Sequence, residues 1–162
     1  MTEPIIGQAA ICEAADAIIA PGPPDTYLGV AGHLLSDVSI LAKAMPPSGI
    51  GLPMLCAHAL ECTLKAYLSR GGNDAHVRAG DVRHNLAKLW MMAFEDGLRI
   101  PSQPPGWVGQ LSALHDGPYH LRYSTGVNGI VSPAPELMAA GLPELLDLVR
   151  SHVQSWRDSR DP

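Results

Sequence analysis

The stretch HALECTLKAYL, residues 58–68, decides how the chain is read. Its apolar members recur at helical spacing and it contains neither proline nor glycine, so it predicts a helix that packs into a core. It also carries His58, Glu61 and Lys65. On a wheel at ~100° per residue these three share one narrow stripe, with Leu60, Leu64 and Tyr67 on the opposite side. Spacing alone leaves two readings open. Glu61 and Lys65, at i and i+4, form a solvated surface pair contributing ~0.3–0.5 kcal/mol. Otherwise the stripe is a seam closed over by neighbouring helices, since a helix with one side in water normally shows a wider band of charge.

Working outward, this helix runs from about Ile50 to Ser69 and stops at Gly71-Gly72. Upstream, Val30, Leu34, Val38, Leu41 and Met45 predict an amphipathic helix over Thr26–Met45, bounded by PGPPD at 21–25 and PPSG at 46–49. Residues 5–20 predict a further short helix packed on the domain or on a partner. Downstream, 71–80 read as a polar loop. Asp81 is the expected N-cap of a third helix through Phe94, with Leu86, Leu89, Trp90 and Ala93 inward.

A fourth helix starts near Trp107 and carries Leu111 and Leu114. Gly117-Pro118 breaks it and leaves YHLRY, 119–123, on a separate turn. After an irregular stretch at 124–135, the last helix is expected from Pro143 to Trp156, with Leu145, Leu146, Val149, Val153 and Trp156 inward. The expected fold class is all-α: an up-and-down four-helix bundle with extra N-terminal and C-terminal helical segments. Its divisions are an N-terminal segment, 1–24, one helical domain, 25–157, and a tail, 158–162.

Composition agrees with one domain. The 162 residues are 46% hydrophobic and only 5% aromatic, so the core is built mainly from unbranched and small aliphatic side chains that favour helices. A net charge of −5 argues against broad, unspecific nucleic-acid binding. The charge is uneven, however: residues 58–125 hold seven basic and six acidic side chains and are the one region with a positive balance. Of the three cysteines, Cys12, Cys56 and Cys62, none forms a CxxC pair, and Cys56 and Cys62 fall ~240° apart on their helix. Reduced thiols in a cytoplasmic protein follow. The first basic residue is Lys43, so the positive start of an export signal is missing, and no apolar run is long enough to span a bilayer. No membrane contact is expected.

Two further residues are candidates for chemistry. His84, near a helix start with Lys88 and Glu95 on its face, reads as an acid/base or phosphate-contacting group, or as an exposed first-turn residue. Arg122, after the restarted turn, reads as a paired donor to an anion or as a surface salt bridge. His33, His76 and His152 read as solvated or ordinarily packed.

HALECTLKAYL, then HNLAKLW, then LSALHDGPYHLRYSTG together resemble the HEPN superfamily, in particular its nucleotidyltransferase-associated members. The shared features are a Glu-x-x-x-Lys-Ala helix (Glu61, Lys65, Ala66), a His-x-Leu helix start (His84, Leu86) and a late Arg-Tyr pair (Arg122, Tyr123), within roughly residues 28–125. The resemblance implies a helical bundle, often a homodimer, that handles nucleotides or RNA in defence or toxin–antitoxin settings. It also implies a nucleotidyltransferase or antitoxin protein as partner.

On that reading Glu61, Lys65, His84, Arg122 and Tyr123 line a ligand-binding groove, with no metal and no cofactor. A ribonuclease member would use His84 and Arg122 as catalytic residues, but the late Arg–His spacing of the RNase branch is missing after Arg122. Arg78 and His84 have that spacing in the wrong place. The alternatives are a metal-dependent phosphohydrolase of the HD kind through His84, His115-Asp116 and Asp147, and a non-catalytic dimerising helical protein.

Overall fold

The computed structural model describes residues 22–44, 49–123, 126 and 128–160. The helix expected over 5–20, with Cys12, lies outside the described residues, as does Met45. Regular structure among the described residues is entirely helical. In chain order come α1 (Asp25–Leu41), α2 (Gly51–Leu68), the one-turn α3 (Ala75–Arg78), a 3-10 turn at Gly80–Val82, α4 (Leu86–Glu95), α5 (Gly106–His115) and α6 (Pro135–Asp158). No described helix is long and apolar enough to cross a membrane.

The stretch 58–68 forms the second half of the central rod, α2. α2 packs against α1, α4, α5 and α6, and every residue from 59 to 69 is buried. Ala57, Ala59, Cys62 and Ala66 keep parts of its surface low, so neighbouring helices come close, while Leu60 and Leu64 fill the spaces between them. Glu61 and Lys65 keep only 6% and 4% of their surface exposed. The pair therefore lies in the interior, and the solvated reading falls.

Several expected features differ. The N-cap of α4 is Asn85, whose side chain accepts from the Lys88 backbone N–H at 2.9 Å. Asp81 sits in the 3-10 turn, and its carboxylate pairs with the Lys88 side chain. Asn85 has the extended backbone a cap needs, so the helix starts four residues later than expected and His84 falls outside it. His84 consequently does not share a helix face with Lys88 and Glu95.

α6 begins at Pro135, before the expected start at Pro143, which lies inside the helix. Met138 and Leu142 extend the buried stripe of Leu145, Leu146, Val149 and Val153 by two turns, while Pro143 itself faces out. That burial outweighs the lost backbone hydrogen bond. Trp156 is only half-buried, with the Arg160 guanidinium 4.0 Å from its ring centroid, and is not a core residue. On α1 the fully buried positions are Ala31 and Val38, whereas Val30 and Leu34 are half-buried.

Candidate functional site

The carboxylate of Glu61 is the meeting point of three chain segments. Lys65 Nζ donates to Oε1 at 2.6 Å from one turn further along α2. The other oxygen, Oε2, accepts from His115 Nε2 at 2.6 Å and from His84 Nδ1 at 3.0 Å. His115 is the last residue of α5, and His84 belongs to the turn before α4. The two imidazoles meet edge to face, with centroids 5.6 Å apart.

Local structure explains why they meet. The side chain of Asn85, already the cap of α4, also donates from Nδ2 to Asp116 at 2.8 Å. Ser112 of α5 accepts from the Ala87 backbone N–H at 3.1 Å. These two contacts pin the start of α4 to the end of α5, so the adjacent His84 and His115 arrive together over α2.

Burial by itself would raise the pKa of Glu61, because it removes water from the charged form. The hydrogen bonds from His115, Lys65 and His84 together overcome that and hold the carboxyl well below the usual carboxylate range. Glu61 is thus a fixed anion. With Nδ1–H of His84 donating to it, His84 Nε2 is left without a protein partner among the described residues, on a side chain 15% exposed. His115 is enclosed, and its Nδ1 has no partner among the described residues.

The site continues outward through aromatic contacts. The ring of His84 packs edge-on against Tyr119 at 5.7 Å, and Tyr119 against Tyr123 at 6.4 Å. The Arg122 guanidinium stands 5.9 Å from the Tyr119 ring centroid. Tyr119 has φ +63°, a left-handed backbone that a bulky residue adopts only at a cost. Arg122 and Tyr123 are both exposed. His58, one turn before Glu61 and exposed at this rim, has its pKa lowered, first by partial loss of water. The Glu61 charge opposes that shift, while His115, Arg122 and Lys65 add to it.

Of the residues singled out by sequence, Glu61, Lys65 and His84 are brought into one hydrogen-bonded cluster. Arg122 and Tyr123 stand at its mouth, linked through Tyr119 rather than touching the carboxylate. Two contributors were missed. His115 was read only as half of a His-Asp pair, although Val108, Leu111, Ser112 and His115 share one helix face and all four are buried. A histidine on such a face needs a partner, and that was the available signal. Tyr119 gave none, because its role follows from a backbone conformation that spacing does not reveal.

The HD-type set does not assemble. Asp116 is engaged by Asn85 and by the Gly117 N–H, and Asp147 is exposed on α6 beside Arg150. Arg78 lies on α3 with its guanidinium 3.6 Å from Asp74, apart from the cluster. A surface cavity of about 590 Å3, lined by Arg70, His76, Met92 and Trp156 among others, is also separate from it. The cluster is therefore a packed core of polar groups with exposed Arg122 and Tyr123 at its rim.

No family model matches the chain, and neither does any curated protein or solved structure.

Proposed function

We propose that the chain is a HEPN-like helical module that binds a nucleotide or nucleic acid at the rim formed by His84, Tyr119, Arg122 and Tyr123. The observation that carries the reading is the convergence of Glu61, Lys65, His84 and His115 beneath that rim. A buried anion holding three donors is costly to build, and it orients one imidazole outward. Arg122 offers a fork of donors to a phosphate, and exposed Tyr123 offers a face on which a base stacks. The motif order Glu61–Lys65–Ala66, His84–Leu86, Arg122–Tyr123 supports the family reading. With it come a homodimer, a nucleotidyltransferase or antitoxin partner, and a defence or toxin–antitoxin setting.

Calorimetric titration with nucleoside phosphates and short single-stranded RNA, in buffer containing a chelator, tests this. Arg122→Ala and Tyr123→Ala change exposed side chains and are expected to leave the fold intact. Each is expected to weaken binding about fivefold or more, on the scale of a charge-assisted hydrogen bond or one stacked base. Unchanged affinity in both variants would overturn the reading.

A second reading, ribonuclease activity, is favoured by one observation: Glu61 fixes His84 with Nε2 outward. In that role Nε2 takes the proton of a ribose 2′-hydroxyl, whose oxygen attacks the adjacent phosphorus. The bond to the 5′-oxygen breaks, that oxygen is protonated from water, and a 2′,3′-cyclic phosphate remains. Arg122 would stabilise the added negative charge on the phosphoryl oxygens. RNA that stays intact with the wild-type protein, or is cleaved equally by His84→Ala, excludes it.

A further inference from the structure

The three side chains at the centre of the cluster also have the composition of a ligand set. We propose that Glu61, His84 and His115 bind a divalent transition-metal ion of the zinc or cobalt type. One ligand atom from each, a carboxylate oxygen and two imidazole nitrogens, lies within 4.8 Å of the others. The ligands come from α2, the turn before α4 and the end of α5, and the Asn85–Asp116 and Ser112–Ala87 hydrogen bonds hold those segments together. This is a framework set by the fold rather than by flexible surface side chains.

Chemistry narrows the ion. Two imidazoles and one carboxylate suit zinc and its neighbours, whereas magnesium and calcium require mainly oxygen ligands. Around an ion with ligands at ~2.0–2.1 Å, tetrahedral donor atoms stand roughly 3.3 Å apart. The nitrogens now lie 2.6 Å (His115) and 3.0 Å (His84) from Glu61 Oε2, so both contacts must open, by a shift of the Glu61 carboxylate away from His115 and a small outward turn of His84. His84 is the least enclosed of the three and stands at the rim, which supplies both the freedom to turn and the path of entry. The two N–H protons now donated to Glu61 leave the ligating nitrogens as the ion arrives and are exchanged through solvent to the opposite ring nitrogens. In the neutral imidazoles a proton then resides on the opposite ring nitrogen, as metal-bound histidines require.

Two features limit the affinity. The Lys65 ammonium on Oε1 repels a cation, and a proton on His115 Nδ1 finds no acceptor among the described residues. With Lys65 already neutralising Glu61, a bound ion keeps its full charge. An open coordination position therefore favours an anion such as phosphate. The ion also takes the carboxylate contact that orients His84, so metal loading and use of His84 as a free base exclude each other.

The test uses chelator-treated, desalted full-length protein and Zn2+ or Co2+ alone. One equivalent is expected to bind by calorimetry, and Co2+ is expected to give the visible absorption of a low-coordinate nitrogen and oxygen site. His84→Ala, which changes a half-buried residue in a turn, is expected to retain the helical circular dichroism and to lose at least about tenfold in affinity. His115→Ala is expected to do the same, and His76→Ala, at an exposed residue of α3, to bind as wild type. Absence of stoichiometric binding, or equal binding by wild type and His84→Ala, overturns the proposal. Nucleotide titrations in chelator are read separately, so either result stands without the other.

Discussion

Asn85 donates its side-chain amide to Asp116 at 2.8 Å while its oxygen caps α4, and together with the Ala87–Ser112 contact this sets His84 beside His115. Asn85→Ala removes both contacts made by Asn85. Loss of a cap costs ~1 kcal/mol and loss of a half-buried hydrogen bond a similar amount, so unfolding in urea is expected to show a drop of about 1–2 kcal/mol. Asn85→Asp keeps the cap acceptor but sets a carboxylate against Asp116, and it is expected to be destabilised too. A midpoint equal to wild type for Asn85→Ala would show that α4 and α5 are held together by other means.

The two Lys–acid pairs should behave very differently. Lys65→Ala leaves Glu61 buried without its ammonium, and breaking a buried pair costs ~3–5 kcal/mol. Lys88→Ala breaks an exposed pair with Asp81 and is expected to leave the denaturation midpoint close to that of the wild type. Denaturation midpoints of the two variants, measured side by side, check the contrast.

Acid should unfold the metal-free protein through Glu61. Its folded pKa lies below the unfolded value of ~4.3 because hydrogen bonds from three donors outweigh the effect of burial. The stabilisation is therefore fully present above that unfolded value and is lost as pH falls through the folded one. Stability of the wild type is expected to drop below about pH 4. Glu61→Gln, less stable at neutral pH, should show a flatter acid limb. Parallel profiles would exclude Glu61 as the titrating group.

Burial pushes the thiols of Cys56 and Cys62 up to about 12, with the Glu61 charge adding to the shift at Cys62. Both are closed off from water in the core. A thiol reagent at pH 8 is expected to label neither until the protein unfolds, as mass spectrometry of labelled peptides would show. Fast labelling of either in the folded protein would contradict the burial of α2.

How far the sequence carried the structure depends on which force acts at each place. The apolar spacing of 58–68 predicted α2, because burial of Leu60 and Leu64 dominates there. It could not tell a surface charge stripe from an enclosed one. That distinction depends on α4 and α5 arriving from elsewhere in the chain. The start of α4 was misplaced because Asp81 and Asn85 are equally good caps by residue type, and only the contact to Asp116 separates them. The start of α6 was placed too late, at Pro143, where proline suits a first helical turn, and the buried Met138 and Leu142 carry the helix further upstream. Within the site, Glu61, Lys65 and His84 were legible from type and spacing. The role of His115 had a signal in its buried helix face that went unread, and that of Tyr119 emerged only from the turn that follows α5.

A rod walled in by its neighbours also constrains inheritance. Along residues 59–69, α2 has no solvent face on which a new charge could be compensated. Neither acid 61 nor base 65 can be replaced singly without stranding the other, so the two positions should drift through related chains as a unit. Where both turn apolar, the imidazoles at 84 and 115 lose their acceptor and should vanish with them.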